Sequence, residues 1–211
     1  MVLKDKYYLP PQLGGSGTFH PLAANHPYEK HDENLRYYLL VTSGYHVSNF
    51  ITHFYGPRKN DFIEMALHHI VALYLFGGAY LNNGWEGGSV IAFLHDIADV
   101  PLALCKVLGE SHFQTAAGIG MILVVIPVWF YTRCIVLPWI IHAVWNWKPF
   151  DLWPPICKPV FCYLLSCMFM LHCFWLSIMI KVILRFLRDG KAEDIQSKDS
   201  KIVEDDDKKG K

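Results

Sequence analysis

Four windows of the chain, Tyr37 to Pro57, Met65 to Trp85, Phe113 to Thr132 and Pro159 to Ile180, contain no Asp, Glu, Lys or Arg. Each is long enough to cross a bilayer core, which takes about 20 helical residues at about 1.5 Å of rise apiece. A backbone in lipid must satisfy its own polar groups, and a helix does so within a single segment. A fifth segment, Gly87 to Leu108, is apolar except for Asp96, Asp99 and Lys106, and its length and its Ala, Leu and Val content also read as a spanning helix. Cys134 to Trp147, short and carrying Pro138, reads as a kinked continuation or an interfacial segment rather than a sixth crossing. The expected fold is all-α, a polytopic transmembrane helical bundle of about five spans.

Charge is distributed accordingly. Residues 35–187 hold 16 of the 38 charged side chains, and the flanks hold the rest. With 53% hydrophobic and 18% charged residues, a soluble enzyme is excluded. Lys+Arg and Asp+Glu stand at 19 each, so no basic surface is left to neutralise phosphates, and nucleic acid is not an expected partner. Arg58 and Lys59, Lys106, and Lys181, Arg185 and Arg188 fall on one side of a five-span layout, which the positive-inside rule makes cytoplasmic. The Asn82 to Gly88 turn and the Trp-rich stretch Trp145 to Trp153 fall on the other.

Three regions follow. Residues 1–34, rich in Pro and Gly, read as an extended arm with neither a signal peptide nor a presequence. Residues 35–187 form the transmembrane domain. Residues 188–211 form a tail with 15 charged residues of 24, which buries too little to fold alone. The six cysteines include no CxxC pair and read as small packing residues, with Cys157 a candidate for acylation.

Ionisable groups inside a membrane are costly and mark functional candidates. His68 and His69 lie about 9 Å into the second span if it begins near Phe62. On the antiparallel third span His95 and Asp99 share a face at i, i+4, beside Asp96, and Asp99 reaches nearly the same depth. An imidazole held by a carboxylate can take a proton from a nucleophile or accept an acyl group itself, which suits acyl transfer. The blander reading is hydrogen-bonded glue between helices, worth about 1 kcal/mol per bond. Five ionisable groups at matching depth favour a site. His46, His53, His142 and Arg133 are expected to satisfy local helix contacts or to snorkel. Iron-dependent lipid oxidation needs several HxxxH or HxxHH sets; one HH and one HD fall short, so no metal is expected.

His68-His69, Tyr80, Asn82-Asn83, Gly88, His95-Asp96, Asp99 and Lys106 resemble, in kind and spacing without gaps, the Lag motif of ceramide synthases, members of the TLC domain family. The resemblance extends through Arg36-Tyr37-Tyr38, Tyr45, Thr132-Arg133, Pro138 and Leu171-His172-Cys173-Phe174-Trp175, and into the acidic tail. It implies a barrel of six helices, of which the five spans here make an incomplete TLC-type barrel. It also implies N-acylation of a sphingoid base by acyl-CoA, with no bound cofactor. His68 and His69 are then acyl acceptor or general base, His95 and Asp96 complete the centre, and Asp99 orients it. His68, His69, Tyr80, His95 and His172 are the expected lipid-binding residues. Ala72, Ala79, Glu86, Ala98 and Ala103 depart from the motif, standing where the family has Thr, Ser, Arg, Ser and Glu.

Three functions are therefore in view. The leading expectation is a lipid-binding, non-catalytic accessory subunit, its arm and tail gripping other membrane subunits. An active ceramide synthase and a TLC-type lipid sensor or carrier are the alternatives. The family implies the endoplasmic reticulum, in accord with a dilysine-like Lys208-Lys209-Gly210-Lys211 end; an assembly subunit could instead sit in the mitochondrial inner membrane.

Overall fold

The computed structural model describes residues 28, 30, 32–56, 58, 60–109, 111–146 and 154–189. Most of the arm and tail, and Trp147 and Trp153 of the Trp-rich stretch, lie outside the described residues, so the expectations attached to them do too.

Five helical rods run in alternating directions: α1 (Glu33–Tyr55), α2 (Phe62–Leu81), α3 (Trp85–Gly109), α4 (Gln114–Asn146) and α5 (Cys157–Asp189). They coincide with the five expected spans. Three of them, Phe62–Leu81, Gln114–Asn146 and Cys157–Arg188, are long and apolar enough to cross a membrane by length and composition. The other two, of 23 and 25 residues, have the length but carry more polar side chains, among them Arg36, His46, Asp96 and Asp99. The chain is an integral membrane protein whose more polar rods turn His46, Asp96 and Asp99 toward their neighbours.

Local chemistry sets the ends. Asp32 caps α1 by accepting from the Asn34 backbone N–H at 2.9 Å. Between α2 and α3 the chain reverses at Asn82-Asn83-Gly84. Asn83 takes φ 55°, a left-handed conformation that Asn tolerates, and Gly84 N–H donates to Ala79 O at 2.7 Å. The tight turn brings Gly88 against α2, where a Cβ would lie 2.8 Å from that of Ala79.

The described part of the Cys134 to Trp147 stretch, Cys134 to Asn146, continues the fourth rod without a break. Pro127 and Pro138 lie inside α4, where each lacks an N–H and crowds the carbonyl one turn back. The helix answers with π-helical turns at Met121–Val125 and Phe130–Val136. Ile126 N–H bonds to Met121 O and Leu137 N–H to Thr132 O, five residues back in each case and one residue before each proline. The wider turn makes room for the proline ring and keeps the rod continuous.

Packing is layered along the rods. Leu35, Val90, Leu94, Val136 and Ile140 join α1, α3 and α4 at the Asn82 end. Leu39, Val71, Leu75, Ala92, Leu137 and Leu165 bring all five rods together around α2. Ala98, Cys105, Val125, Trp129, Trp175 and Met179 join α3, α4 and α5 toward the Arg58 end.

Candidate functional site

Between these layers the rods turn imidazoles inward. His68 of α2, His95 of α3 and His172 of α5 form a triangle, with ring centroids 6.2 Å apart for His68 and His95, 6.0 Å for His68 and His172, and 4.9 Å for His95 and His172. All three are buried, as is His46 of α1. Trp129 and Trp175 wall the triangle edge-on, their rings 5.7 Å from His172 and 5.3 Å from His68. Trp129 Nε1–H donates to His172 O at 3.3 Å, and Trp175 Nε1–H to the Asp61 carboxylate at 3.2 Å, tying α5 to α4 and to the α1–α2 loop.

His95 Nδ1 lies 2.7 Å from Ile91 O. A carbonyl only accepts, so Nδ1 carries the proton and Nε2 keeps a lone pair. Among the described residues that Nε2 has no hydrogen-bond partner, and neither do His68 Nδ1 or the two ring nitrogens of His46 and of His172. A buried polar atom left unpaired costs about 1–3 kcal/mol, so several at one place mark a site kept for a ligand.

The rings of His46, His68 and His95 border a pocket. His46, His68 and His95 form its polar end, and Ala72, Leu75, Phe76, Ile91, Phe161 and Met168 its apolar walls, around a cavity of ≈ 20 Å³. It runs from the imidazoles toward the Asn82 end of the bundle.

Behind His95 lies an ion pair. Arg133, on the second π-helical turn of α4, is 2% exposed; it donates to the Asp99 carboxylate and, at 3.0 Å, to His95 O, with its guanidinium carbon 3.8 Å from the centroid of a Trp129 ring. Arg133 therefore does not snorkel, as its sequence context suggested; it fixes the α3 backbone at His95. Asp96 accepts from Tyr38 OH at 2.9 Å, joining α3 to α1. His46 borders the pocket, whereas His53 makes a local helix contact of the kind expected, its Nε2–H donating to Phe62 O at 2.9 Å.

The predicted residues thus separate into groups. His68, His95 and His172 converge. His69 is buried on the neighbouring face, with ring contacts to His53 at 5.7 Å and Phe50 at 6.4 Å, and Tyr80 stacks on Trp85 at 5.5 Å, close to the Asn82 turn. Asp96 and Asp99 face α1 and α4 through Tyr38 and Arg133. Of the departures from the motif, Ala72 lines the pocket, Ala79 packs against Gly88, Ala98 is fully buried in the apolar layer, Glu86 is buried and Ala103 is exposed. Among the described residues no three His, Cys, Asp or Glu side chains converge as metal ligands.

A family model described as TLC domain matches residues 2–181. The chain belongs to the TLC domain family. Ceramide synthase 4 of Mus musculus is 31% identical over 82% of this chain and 44% of its own length. Ceramide synthase hyl-2 of Caenorhabditis elegans is 28% identical over 82% of the chain and 56% of its own, and ceramide synthase 1 LOH3 of Arabidopsis thaliana 32% identical over 76% and 55%. The chain spans about half the length of the curated relatives it matches. The TLC match begins at residue 2, upstream of the motifs quoted above, and includes every rod from α1 to α4. This is a ceramide synthase-like TLC protein, and His46, His68, His95 and His172 all lie inside the matched region.

Proposed function

We propose that this TLC protein is a sphingoid-base N-acyltransferase of the endoplasmic reticulum membrane, using an acyl-CoA thioester as donor. The observation that carries the reading is the lone pair of His95 Nε2, fixed by the Nδ1–H bond to Ile91 O and left unpaired at the polar end of an apolar pocket. A long-chain amine is protonated near neutral pH and must first lose a proton to water to become a nucleophile. As the deprotonated amine nitrogen attacks the thioester carbonyl, the C–N bond forms, the C–S bond breaks, and the second amine proton passes to Nε2. The imidazolium then protonates the departing thiolate, so the products are an amide and CoA. His68 and His172 supply further imidazoles beside His95, and Asp99 acts through Arg133 to hold His95 in place. Dry walls strengthen these contacts.

The accessory-subunit reading rests on Ala72, which puts a methyl group where the family pattern has a hydroxyl beside His68. One experiment decides between them. Purified chain in nanodiscs, given a long-chain base and acyl-CoA, is expected to form the amide, and His95→Ala or His68→Ala to slow it by about 10²–10⁴-fold, the usual size of a general-base contribution. A folded wild-type chain that binds lipid and forms no amide overturns the catalytic reading in favour of the accessory one.

A further inference from the structure

A file of imidazoles leads out of the centre. His68 stands 5.6 Å from His69, and His69 5.7 Å from His53, centroid to centroid, while on the inner side His68 is 6.2 Å from His95. His53 lies at the Arg58 end, close to the last residue of α1, Tyr55. Its ring stacks on Phe62 at 4.4 Å, and its Nε2–H donates to the carbonyl of Phe62, the first residue of α2. Its Nδ1 therefore keeps the lone pair. Among the described residues Nδ1 of His68 and Nδ1 of His69 have no hydrogen-bond partner, so a ring nitrogen is left over at each of these links too. An imidazole can take a proton on one nitrogen while releasing another from the second, which makes a file of them a relay through a membrane. The Trp175 indole, 5.3 Å from His68, offers no such route, because it only donates and its N–H is held by Asp61.

Acylation of an ammonium by a thioester yields an amide, a thiol and one surplus proton, which starts in a buried site and must reach water. Resting on the acyl-transfer reading above, we propose that His69 and His53 relay this proton from His68 to water at the Arg58 end. The N–H bond of the ammonium breaks as one forms on a ring nitrogen of His68. His68 passes the proton on its other nitrogen to His69, His69 passes one to His53, and His53 passes one to water. Each ring ends with the one proton it began with, and a turn about its Cβ–Cγ bond closes the gap to the next ring and resets the file. The adjacent histidines thus divide the work: His68 stands at the centre, and His69 and His53 act through it.

The test compares purified wild type, His53→Gln and His53→Ala in nanodiscs with acyl-CoA and a long-chain base. Glutamine keeps a donor for Phe62 O and has no basic nitrogen, so it preserves the fold while cutting the relay. Amide formation is expected to fall in both variants by about 10²-fold, the lower end of a proton-transfer contribution. Free imidazole in the buffer is expected to restore His53→Ala, whereas pyrrole, of the same shape without the basic nitrogen, is not. His53→Gln combined with His69→Gln should lose no more than either alone, because a file cut once is cut. Wild-type rates in both His53 variants, or a loss that imidazole does not rescue, overturns the relay and leaves the acyl-transfer reading standing. Exchange of the His68 ring N–H with water, read by nitrogen NMR of isotope-labelled imidazoles, needs no turnover and is expected to slow in His53→Gln by a similar factor. Exchange that depends on His53 in a wild type that forms no amide supports the relay and sinks the acyl-transfer reading. No amide, with exchange indifferent to His53, overturns both.

Discussion

Replacing Arg133 tests the centre of the bundle, because three contacts converge on one side chain. Arg133→Met removes the ion pair with Asp99, the bond to His95 O at 3.0 Å and the stacking on Trp129 at 3.8 Å. The loss is dominated by the carboxylate left behind. Asp99 has half its side chain uncovered by the rest of the chain, but at this depth in a rod the surroundings are lipid, which screens nothing. A stranded carboxylate escapes by protonation, which from an ordinary value near 3.9 costs about 4 kcal/mol at pH 7. Breaking a buried pair by removing one partner costs about 3–5 kcal/mol in other proteins, in agreement. Arg133→Met should therefore destabilise by about 4 kcal/mol. Arg133→Met with Asp99→Asn should recover at least about 2 kcal/mol of it, since no charge is then stranded. Equilibrium unfolding in mixed dodecyl maltoside and SDS micelles measures both. A single-variant loss under about 1 kcal/mol, or a second substitution that recovers nothing, would refute the reasoning.

Other outcomes follow from single contacts. Tyr38→Phe removes the 2.9 Å donor to Asp96 and should cost about 1.5–3 kcal/mol in the same unfolding assay, the range for a bond to a charged group; no loss would show that α1 and α3 are held by packing alone. A Cβ on Gly118 would lie 2.5–2.7 Å from the Phe186 ring, so Gly118→Val should destabilise by about 1–3 kcal/mol, and adding Phe186→Ala should relieve part of that. Ala72→Leu fills the pocket one turn from His68. It should release retained lipid, read by native mass spectrometry, with helical content by circular dichroism unchanged; lipid retained at the wild-type level would contradict the lining assigned to Ala72.

Much of the architecture was legible because it depends on windows free of charge. A helix is what a backbone in lipid must form, so all five rods appear where the uncharged or nearly uncharged stretches lie, and α4 absorbs Cys134 to Asn146 as a continuation. His68 and His95 were singled out from the spacing of the motif, and His172 from the resemblance downstream of it. Arg133 was not. Whether an Arg in an apolar run snorkels or pairs depends on the face its rod turns inward, and the π-helical turn at Phe130–Val136 departs from the 3.6-residue period on which face arguments rest. The same limit hid His46, whose role is set by how α1 leans on α2 and α3. Asp96 and Asp99 were singled out, but their partners, Tyr38 and Arg133, are 58 and 34 residues away in sequence and come together only in the packed bundle. His69, adjacent to His68, necessarily points about 100° around the helix from it, which is why the pair divides between the pocket and the α1 face.

The central claim is that this chain itself joins an acyl group to an amine. Its most direct measurement follows, in one reaction of the purified protein in nanodiscs with acyl-CoA and a long-chain base, the free thiol of CoA and the amide together. The account predicts that both appear at equal rates, that omission of the base abolishes sustained thiol release, and that His95→Ala suppresses both signals. Folded, lipid-retaining protein that yields neither thiol nor amide would contradict it.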